Sequence, residues 1–268
     1  MYVQKDSVAR QKILNLTEFK ARRPNSYVKR LRANPSKSLL LLQYEKPGVY
    51  GNFALVFPFG QQKAIDSLAY VYSVEWFTDS MFIYSKTNAI GRAGELRSHH
   101  TGTQKDSLRY LEKDPRYDIE VLNEGGELFC TVQSKTQNEI YWIPLVTHQP
   151  ALKLIKSRQK GVMHTVKVEN GFYMLVNDEE KGSRMEFAMV DTPDQWKTLS
   201  TSGKDDYIVD VLPLKDRLVA LVHENSIPKL KYLKNGKEKW TAIKLGLGIG
   251  QFRLQRAVKD SVAFEFAF

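Results

Sequence analysis

The side chains of this chain that could do acid–base or metal chemistry are, first, its histidines. There are five, at His99, His100, His148, His164 and His223. An imidazole acts as a general base or a metal ligand when other histidines or carboxylates lie at a suitable spacing. Only His99 and His100 are adjacent, and neighbouring residues in a strand point to opposite faces. We therefore expect structural histidines, at strand ends or in loops.

The paired carboxylates and the single cysteine are also expected to be structural. Asp178–Glu180 and Asp205–Asp206 lie in polar stretches between candidate strands, where solvation leaves carboxylates without a catalytic role. Cys130 lies in the apolar run Leu128–Val132, which is typical of a buried, inert thiol. One cysteine cannot form an intramolecular disulfide, so a reducing, cytoplasmic setting is the expectation.

No motif for a nucleophile or a nucleotide is present. An α/β hydrolase holds its serine on a G-x-S-x-G turn, followed along the chain by Asp and His. No serine here has glycine at both flanking positions. The glycine cluster Gly246–Gly250 lacks a serine and does not match G-x-G-x-x-G, so we expect a loop there. We predict no catalytic, cofactor-binding or metal-binding residue in the chain, and no cofactor.

The charge balance favours a solvated surface over a nucleic-acid interface. Lys and Arg number 40 against 30 Asp and Glu, a net charge of +10. The basic runs Lys20–Arg23, Lys29–Arg32 and Lys229–Lys239 lie far apart, whereas nucleic acid needs converging cations with interleaved aromatic residues. Apolar runs such as Leu39–Leu42 fall far short of the ~20 residues that span a bilayer. We expect neither nucleic-acid nor membrane binding.

The elements that must position these residues follow an internal repeat. Six segments share an extended apolar or aromatic run, a short turn and a second run rich in β-branched, aromatic or leucine residues. They are Arg30–Gln43, Ser73–Ser85, Asp118–Gln133, His164–Asn177, Val209–His223 and Leu254–Phe266, with turns at Ser36, Asp79, Gly125, Asn170, Asp216 and Asp260. Successive turns are 43 to 46 residues apart. A four-stranded propeller blade takes ~40–50 residues, and Asn52–Phe57 and Glu139–Leu145 are candidate outer strands.

This repeat predicts an all-β fold, a β-propeller of about six four-stranded blades. A β-sandwich or two small β domains is the alternative. We expect residues 1–268 to form a single propeller domain, with successive blades of about 45 residues in 26–268. Residues 1–16 are expected to supply outer strands of a first blade, at Tyr2–Asp6 and Lys12–Leu16. The closing hairpin Phe252–Phe268 either pairs with them in one composite blade or belongs to an incomplete blade.

A series of aromatic and acidic motifs accompanies the repeat. In chain order they are Ser73–Trp76, Asp79–Ser80, Phe82–Tyr84, His99–Thr103, Asp106, Leu111–Pro115, Thr136–Trp142, Phe172–Asn177 and Trp196. Together they resemble the propeller of the prolyl oligopeptidase family of serine peptidases, and most closely its oligopeptidase B and prolyl endopeptidase-like branch. His99–Thr103 is similar to that family's His-x-Leu-Gly-Thr segment, with Thr101 in place of the leucine.

The resemblance implies a seven-bladed propeller that covers the mouth of an α/β-hydrolase domain and excludes folded proteins. This chain would carry about six of those blades and would lack the catalytic domain. We therefore expect a non-catalytic, substrate-gating portion of a serine-type endopeptidase, whose partners are an α/β-hydrolase domain on the same full-length polypeptide and short peptide substrates. The alternative is a stand-alone propeller that serves as a protein interaction platform. Pairing of Tyr2–Leu16 with Val262–Phe268 would favour that alternative.

Overall fold

The computed structural model describes residues 2–3, 11–202, 206–244, 251–256 and 262–267, and most of them form antiparallel strands. The described strands, in chain order, are β1 (Tyr2–Val3), β2 (Gln11–Lys12), β3 (Tyr27–Ala33), β4 (Leu39–Glu45), β5 (Asn52–Pro58), β6 (Asp66–Trp76), β7 (Met81–Thr87), β8 (Ala93–His100), β9 (Lys105–Leu111), β10 (Asp118–Glu124), β11 (Glu127–Gln133), β12 (Asn138–Ile143), β13 (Lys153–Lys156), β14 (Val162–Val168), β15 (Phe172–Asp178), β16 (Gly182–Ala188), β17 (Lys197–Thr201), β18 (Asp206–Pro213), β19 (Arg217–Glu224), β20 (Ile227–Lys234), β21 (Thr241–Ala242), β22 (Gln251–Arg256) and β23 (Val262–Ala267). Within the described ranges the one α-helix is α1 (Leu16–Arg22), and no helix there is long and apolar enough to cross a bilayer.

The strands pair with their neighbours in chain order, which confirms the predicted all-β fold. Three sheets have four strands, in the orders β10-β11-β12-β13, β14-β15-β16-β17 and β18-β19-β20-β21. Strands β3 to β9 form one seven-stranded sheet, and β1-β2 and β22-β23 form two-stranded sheets. Alternating or fully apolar strands joined by short turns produce this meander, because sequential antiparallel strands need only a tight connection.

The seven-stranded sheet consists of two four-stranded modules that share one long strand, β6. Residues 66–68 of β6 pair with β5, and Ser73–Trp76 pairs with β7. Between the two halves, Tyr70 has a positive φ of 63°, a left-handed conformation that interrupts a strand. Gly51 has a φ of 83°, and a Cβ on it would lie 3.1 Å from Tyr70 Cα, so glycine is required at this break.

We therefore number five described blades. Blade 1 is β3 to β5 with residues 66–68 of β6, and blade 2 is residues 71–76 of β6 with β7 to β9. Blades 3, 4 and 5 are the sheets β10–β13, β14–β17 and β18–β21. The hairpin β22–β23 begins the next module. This count agrees with the predicted repeat of about six.

Five of the six predicted turns are confirmed, at Ser36, Asp79, Gly125, Asn170 and Asp216, each between the first two strands of a blade. The first two turns are also bonded to each other, since the Ser36 N–H donates to Asp79 Oδ1 at 2.6 Å. The sixth predicted turn, at Asp260, lies outside the described residues.

The chain forms two compact parts. The first comprises Met1–Asn123, Leu128–Ser134 and Trp142–Lys153, and the second comprises Glu124–Glu127, Lys135–Tyr141 and Leu154–Phe268. In the first part, one core packs α1 and residues 13–14 against β4 and β5, and another joins β4 and β5 to β6 and β7. In the second part the cores join blade 4 to blade 5, and blade 5 to Leu254 of β22.

The predicted strand Lys12–Leu16 is wrong. Strand β2 ends at Lys12, and a helix begins at Leu16. Asn15 caps this helix, because its side-chain oxygen accepts the Glu18 N–H at 3.3 Å. The apolar face of the helix, with Phe19, then packs on blade 1. The cap at Asn15 followed by Glu18 is a helix-start signal that outweighs the extended pattern of residues 12–16.

Candidate functional site

In the first compact part, buried polar side chains bind each blade to the first strand of the next. The Gln43 side-chain amide in β4 donates to the Tyr72 carbonyl in β6 at 2.8 Å. Ser73 Oγ in turn accepts the N–H of Val121 in β10 at 2.7 Å. In the sheets that begin at β3, β10, β14 and β18 the first strand is an edge strand, and its outward backbone groups have no ladder partner. These side chains satisfy those groups and hold the spacing between blades.

The second compact part repeats the device with asparagines. Asn138 in β12 accepts the His164 N–H at 2.7 Å and donates to the His164 carbonyl at 2.8 Å. Asn177 in β15 donates to the Ile208 carbonyl of β18 at 3.1 Å, and the Ile208 N–H donates to Ser183 Oγ at 3.0 Å. We call these side chains the interblade clamps: Gln43, Ser73, Asn138, Asn177 and Ser183.

Two tryptophans of the sequence motifs make a further contact between blades. Trp76 Nε1 in blade 2 donates to the Arg32 carbonyl in β3 at 3.1 Å. Trp196, just before β17, donates through Nε1 to the Ile155 carbonyl in β13 at 3.2 Å. In each case a large apolar ring fills space between blades while its single donor reaches a strand backbone. These contacts explain why tryptophan occurs at both positions.

The clamps place charged side chains of the first strands next to one another. Arg30 Nη1 in β3 lies 2.7 Å from Glu75 Oε1 in β6, and Arg32 Nε lies 3.6 Å from Glu75 Oε2. The Glu75 side chain is 4 % exposed, whereas both arginines are partly solvated. Burial raises the pKa of Glu75, although Arg32 and Arg30 act to lower it. The Glu75 carboxyl is thus shielded from solvent and lies beside two cations.

This charge group continues onto the first strand of blade 3. Burial raises the pKa of Glu120 in β10, and Arg30 opposes that rise. Burial, and then the charges of Glu120 and Asp118, raise the pKa of Tyr72. The Tyr72 hydroxyl therefore remains a hydrogen-bond donor at neutral pH. Of three consecutive first strands, β3 carries the basic groups Arg30 and Arg32, and β6 and β10 carry the acidic groups Glu75 and Glu120.

A similar ion pair joins first strands in the second compact part. Lys167 Nζ in β14 lies 3.2 Å from Asp210 Oδ1 in β18. Both side chains are partly exposed, so the pair contributes little to stability. The pair instead fixes the positions of the Lys167 and Asp210 side chains on β14 and β18. We call the groups on β3, β6, β10, β14 and β18 the first-strand charges: Arg30, Arg32, Glu75, Glu120, Lys167 and Asp210.

The two histidines at the end of β8 contact neighbouring side chains, and their structural role stays a prediction. His99 Nε2 lies 2.8 Å from Asp66 Oδ2, with both side chains 4 % exposed, and its ring stacks on Phe82. His100 Nε2 lies 3.2 Å from Ser80 Oγ. The sequence offered no signal for the Asp66 partner, which precedes His99 by 33 residues on a different strand. The arrangement brings no nucleophile to the His99 ring among the described residues.

The sequence predicts His164 at a strand end or in a loop. It lies instead inside β14 and is buried. Burial, followed by the nearby Lys156 cation, lowers the pKa of His164 to about 4, against an opposing effect of Asn138. The ring is neutral at pH 7. His148 and His223 are exposed.

Lys156 and Glu186 form a largely buried ion pair near His164, with side chains 14 % and 9 % exposed. Lys156 Nζ contacts Glu186 Oε2 and lies 4.2 Å from the Trp196 ring centroid, and Arg184 Nε lies 2.7 Å from Glu186 Oε1. Burial lowers the pKa of Lys156 against the effect of Glu186. Burial acts to raise the pKa of Glu186, but the two cations lower it. The group holds two cations and one carboxylate, and Lys156 lies against the Trp196 ring, which makes the group part of the packing between blades.

The remaining predicted residues have structural surroundings. Cys130 is fully buried in β11, as expected. Asp178 ends β15, and the N–H groups of the following turn lower its pKa. Asp206 opens β18 and pairs with Lys231, so it is not a loop residue, and Asp205 lies outside the described residues. Within the part of the chain that the structure describes, no three His, Cys, Asp or Glu side chains are grouped as metal ligands.

Comparison with known proteins identifies related sequences. The family model described as the prolyl oligopeptidase N-terminal beta-propeller domain matches residues 61–268. A prolyl endopeptidase-like protein of Gallus gallus is 21 % identical over 207 residues, which cover 74 % of this chain and 28 % of that protein. The chain therefore spans less than a third of this curated relative.

Solved structures show the same fold. Oligopeptidase B from Leishmania major superposes with a TM-score of 0.80 at 15 % identity, over 93 % of this chain and 38 % of that one. The closed form of oligopeptidase B from Trypanosoma brucei, with covalently bound antipain, gives 0.80 at 15 % identity, over 98 % and 40 %. Prolyl oligopeptidase B from Galerina marginata gives 0.72 at 11 % identity, over 96 % and 40 %. The four-stranded sheets are thus the blades of a β-propeller, as the repeat predicted.

Proposed function

Because the chain belongs to the family of prolyl oligopeptidase N-terminal β-propeller domains, we propose that it is the substrate-gating, non-catalytic portion of a prolyl oligopeptidase-type serine peptidase. One observation carries the proposal: the propeller fold covers the matched region, while the sequence contains no G-x-S-x-G turn for a nucleophile. The catalytic partner is an α/β-hydrolase domain on the same full-length polypeptide, and the substrates are short peptides.

The gating role is physical. Within each compact part the interblade clamps resist separation of neighbouring blades, so the border that their first strands form stays rigid. A folded protein has a much larger cross-section than an extended peptide. A rigid border therefore excludes folded proteins and admits extended peptides. The first-strand charges around Arg30 and Glu75 supply hydrogen-bonding groups along that border. Selection then occurs by access rather than by the chemical step.

Two further expectations accompany this function. Residues 1–268 are proposed to act as a single propeller domain. Cys130 is buried and is the chain's single cysteine, which fits a reducing cytoplasm; that location stays a prediction.

The separation of gating from catalysis can be tested on the chain itself. The purified chain should not hydrolyse peptide or ester reporters, and a fluorophosphonate probe that labels activated serines should leave it unlabelled. Turnover that the probe abolishes, with label on this chain, would contradict the proposal. The full-length polypeptide, assayed in parallel, should hydrolyse the same short peptide and take the label on its hydrolase domain.

The gate itself is tested with a clamp variant in the full-length polypeptide. Asn177→Ala removes the amide that holds Ile208. We expect a higher rate of cleavage of a long or partly folded substrate relative to a short peptide. Asn235→Ala is the matched control, because Asn235 is exposed and its side-chain amide donates to the Lys215 carbonyl of its own blade. An unchanged ratio in the clamp variant, together with a lower melting temperature, would show that the clamps serve stability alone.

A further inference from the structure

A cavity of about 340 Å³ lies where α1 packs on blade 1. The helix contributes Arg22 and, just after its end, Arg23 to the wall. Lys63, from the connection between β5 and β6, stands on the wall as well. Leu14 and Phe57 supply apolar surface. The volume suits a ligand of roughly the size of one amino acid or a small aromatic molecule.

Arg23 is held in place without an ionic partner. Its guanidinium carbon lies 5.0 Å from the Phe19 ring centroid and 5.7 Å from that of Tyr44. No carboxylate among the described residues pairs with it. A guanidinium lying over aromatic faces keeps its edge N–H groups free, and those edges match a carboxylate or phosphate in a two-point contact.

The wall of the cavity has an excess of positive charge. Arg22 is paired with Glu18, one helical turn earlier, so these two charges cancel. Arg23 and Lys63 have no ion-pair partner among the described residues. The charged lining of the cavity is thus three cations and the Glu18 carboxylate, and Leu14 and Phe57 are among its apolar lining residues. The basic run Lys20–Arg23 of the sequence thus contributes to a defined cavity, and not only to a solvated surface.

We propose that this cavity binds a small organic anion with an apolar body, that is, a carboxylate or a phosphate ester. The anionic group contacts the edge of Arg23 and Lys63, and the apolar body lies on Phe57 and Leu14. The site is independent of the gating function, since it needs no hydrolase domain and lies on the α1 side of blade 1.

Isothermal titration calorimetry on the purified 268-residue chain tests the proposal with three probes: N-acetylphenylalanine, its neutral amide and phenyl phosphate. We expect saturable binding of at least one anion, and weaker binding of the amide by about tenfold or more, because charge-assisted hydrogen bonds are lost. Arg23→Gln should weaken binding of the anion by about tenfold. Lys113→Gln, which removes an exposed lysine away from the cavity, should leave the affinity unchanged.

A second variant keeps the test valid if Arg23→Gln proves unstable. Ala64→Trp adds a large side chain at a cavity-lining position and removes no charge, and should abolish binding while circular dichroism stays native. Binding of phenyl phosphate that strengthens between pH 5 and 7, as its second proton leaves, identifies a phosphate ester. Binding of N-acetylphenylalanine that does not change over this range identifies a carboxylate. Three results would overturn the proposal. They are an affinity for the neutral amide equal to that for the anion, an anion affinity unchanged in both variants, and no saturable binding of either anion at millimolar concentration.

Discussion

Acidification should destabilise this fold through His164. Its ring is buried in β14, and burial, then the Lys156 cation, lowers its pKa from 6.5 to about 4. The other charged groups that face it are Glu186 and Arg184. Above pH 6.5 the ring is neutral in both the folded and the unfolded chain, so it contributes no pH dependence there. Below pH 6.5 the unfolded chain takes up the proton first, and the free energy of unfolding falls until the pH passes below about 4.

The magnitude follows from the difference of the two pKa values. One pKa unit corresponds to about 1.36 kcal/mol. The loss contributed by His164 is therefore about 2 kcal/mol at pH 5 and about 3 kcal/mol at pH 4. A loss of this size is a large fraction of the ~5–15 kcal/mol by which a typical domain is stable.

Urea unfolding followed by tryptophan fluorescence at pH 7, 5 and 4 measures this loss. Other carboxyl groups also titrate over this range, so the difference between the wild-type chain and His164→Gln is the informative quantity. We expect the wild-type chain to lose about 3 kcal/mol relative to His164→Gln between pH 7 and 4. His148→Gln, which removes an exposed imidazole from a loop, is the matched control and should track the wild-type chain. A constant difference between wild type and His164→Gln from pH 7 to 4 would refute the reasoning.

Three further predictions concern contacts between and within blades. Asn138→Ala removes the side chain that bonds the His164 N–H and carbonyl in β14. It should lower the free energy of unfolding by about 2–4 kcal/mol in the same urea assay. A loss under about 0.5 kcal/mol would show that water replaces the amide. Gly51→Ala places a Cβ 2.4 Å from Thr87 Oγ1, whereas Gly48 has a similarly positive φ but open space around it. Gly51→Ala should therefore lower the melting temperature more than Gly48→Ala does. Equal shifts in melting temperature would contradict the steric explanation. Trp76→Phe loses the hydrogen bond to β3 and should cost about 1–2 kcal/mol, with Tm by circular dichroism as the check; an unchanged Tm would mean that the indole donor is dispensable.

The repeat could be predicted from the sequence because its signals are local. Asn170 and Gly125 mark tight turns, and the apolar runs on either side of them form the paired strands. Both features depend on residues within about ten positions, so pattern and turn chemistry are sufficient. The exception was Lys12–Leu16, where the Asn15 cap and the burial of Phe19 against blade 1 favour a helix over the extended pattern.

The surroundings of single side chains could not be predicted in this way. Asp66 meets His99 across 33 residues, and Arg30 meets Glu75 across 45. In both pairs the residues are too far apart in sequence for a local sequence pattern to predict the contact. The position of β6 is equally non-local, since a left-handed residue at Tyr70 divides one long strand between two blades.

By itself, then, the sequence determined the strand type, the turn positions and the number of repeating modules. It also shows that the G-x-S-x-G motif is absent from these 268 residues, because that motif is contiguous in sequence. Only the tertiary structure decided which charges lie beside each other on the first strands, and that α1 encloses a cavity with Arg23 free to bind an anion. The physical reason is that turn and strand preferences act between neighbours along the chain. Charge pairing and cavity shape depend on how separate blades and the helix pack, and that packing joins residues tens of positions apart.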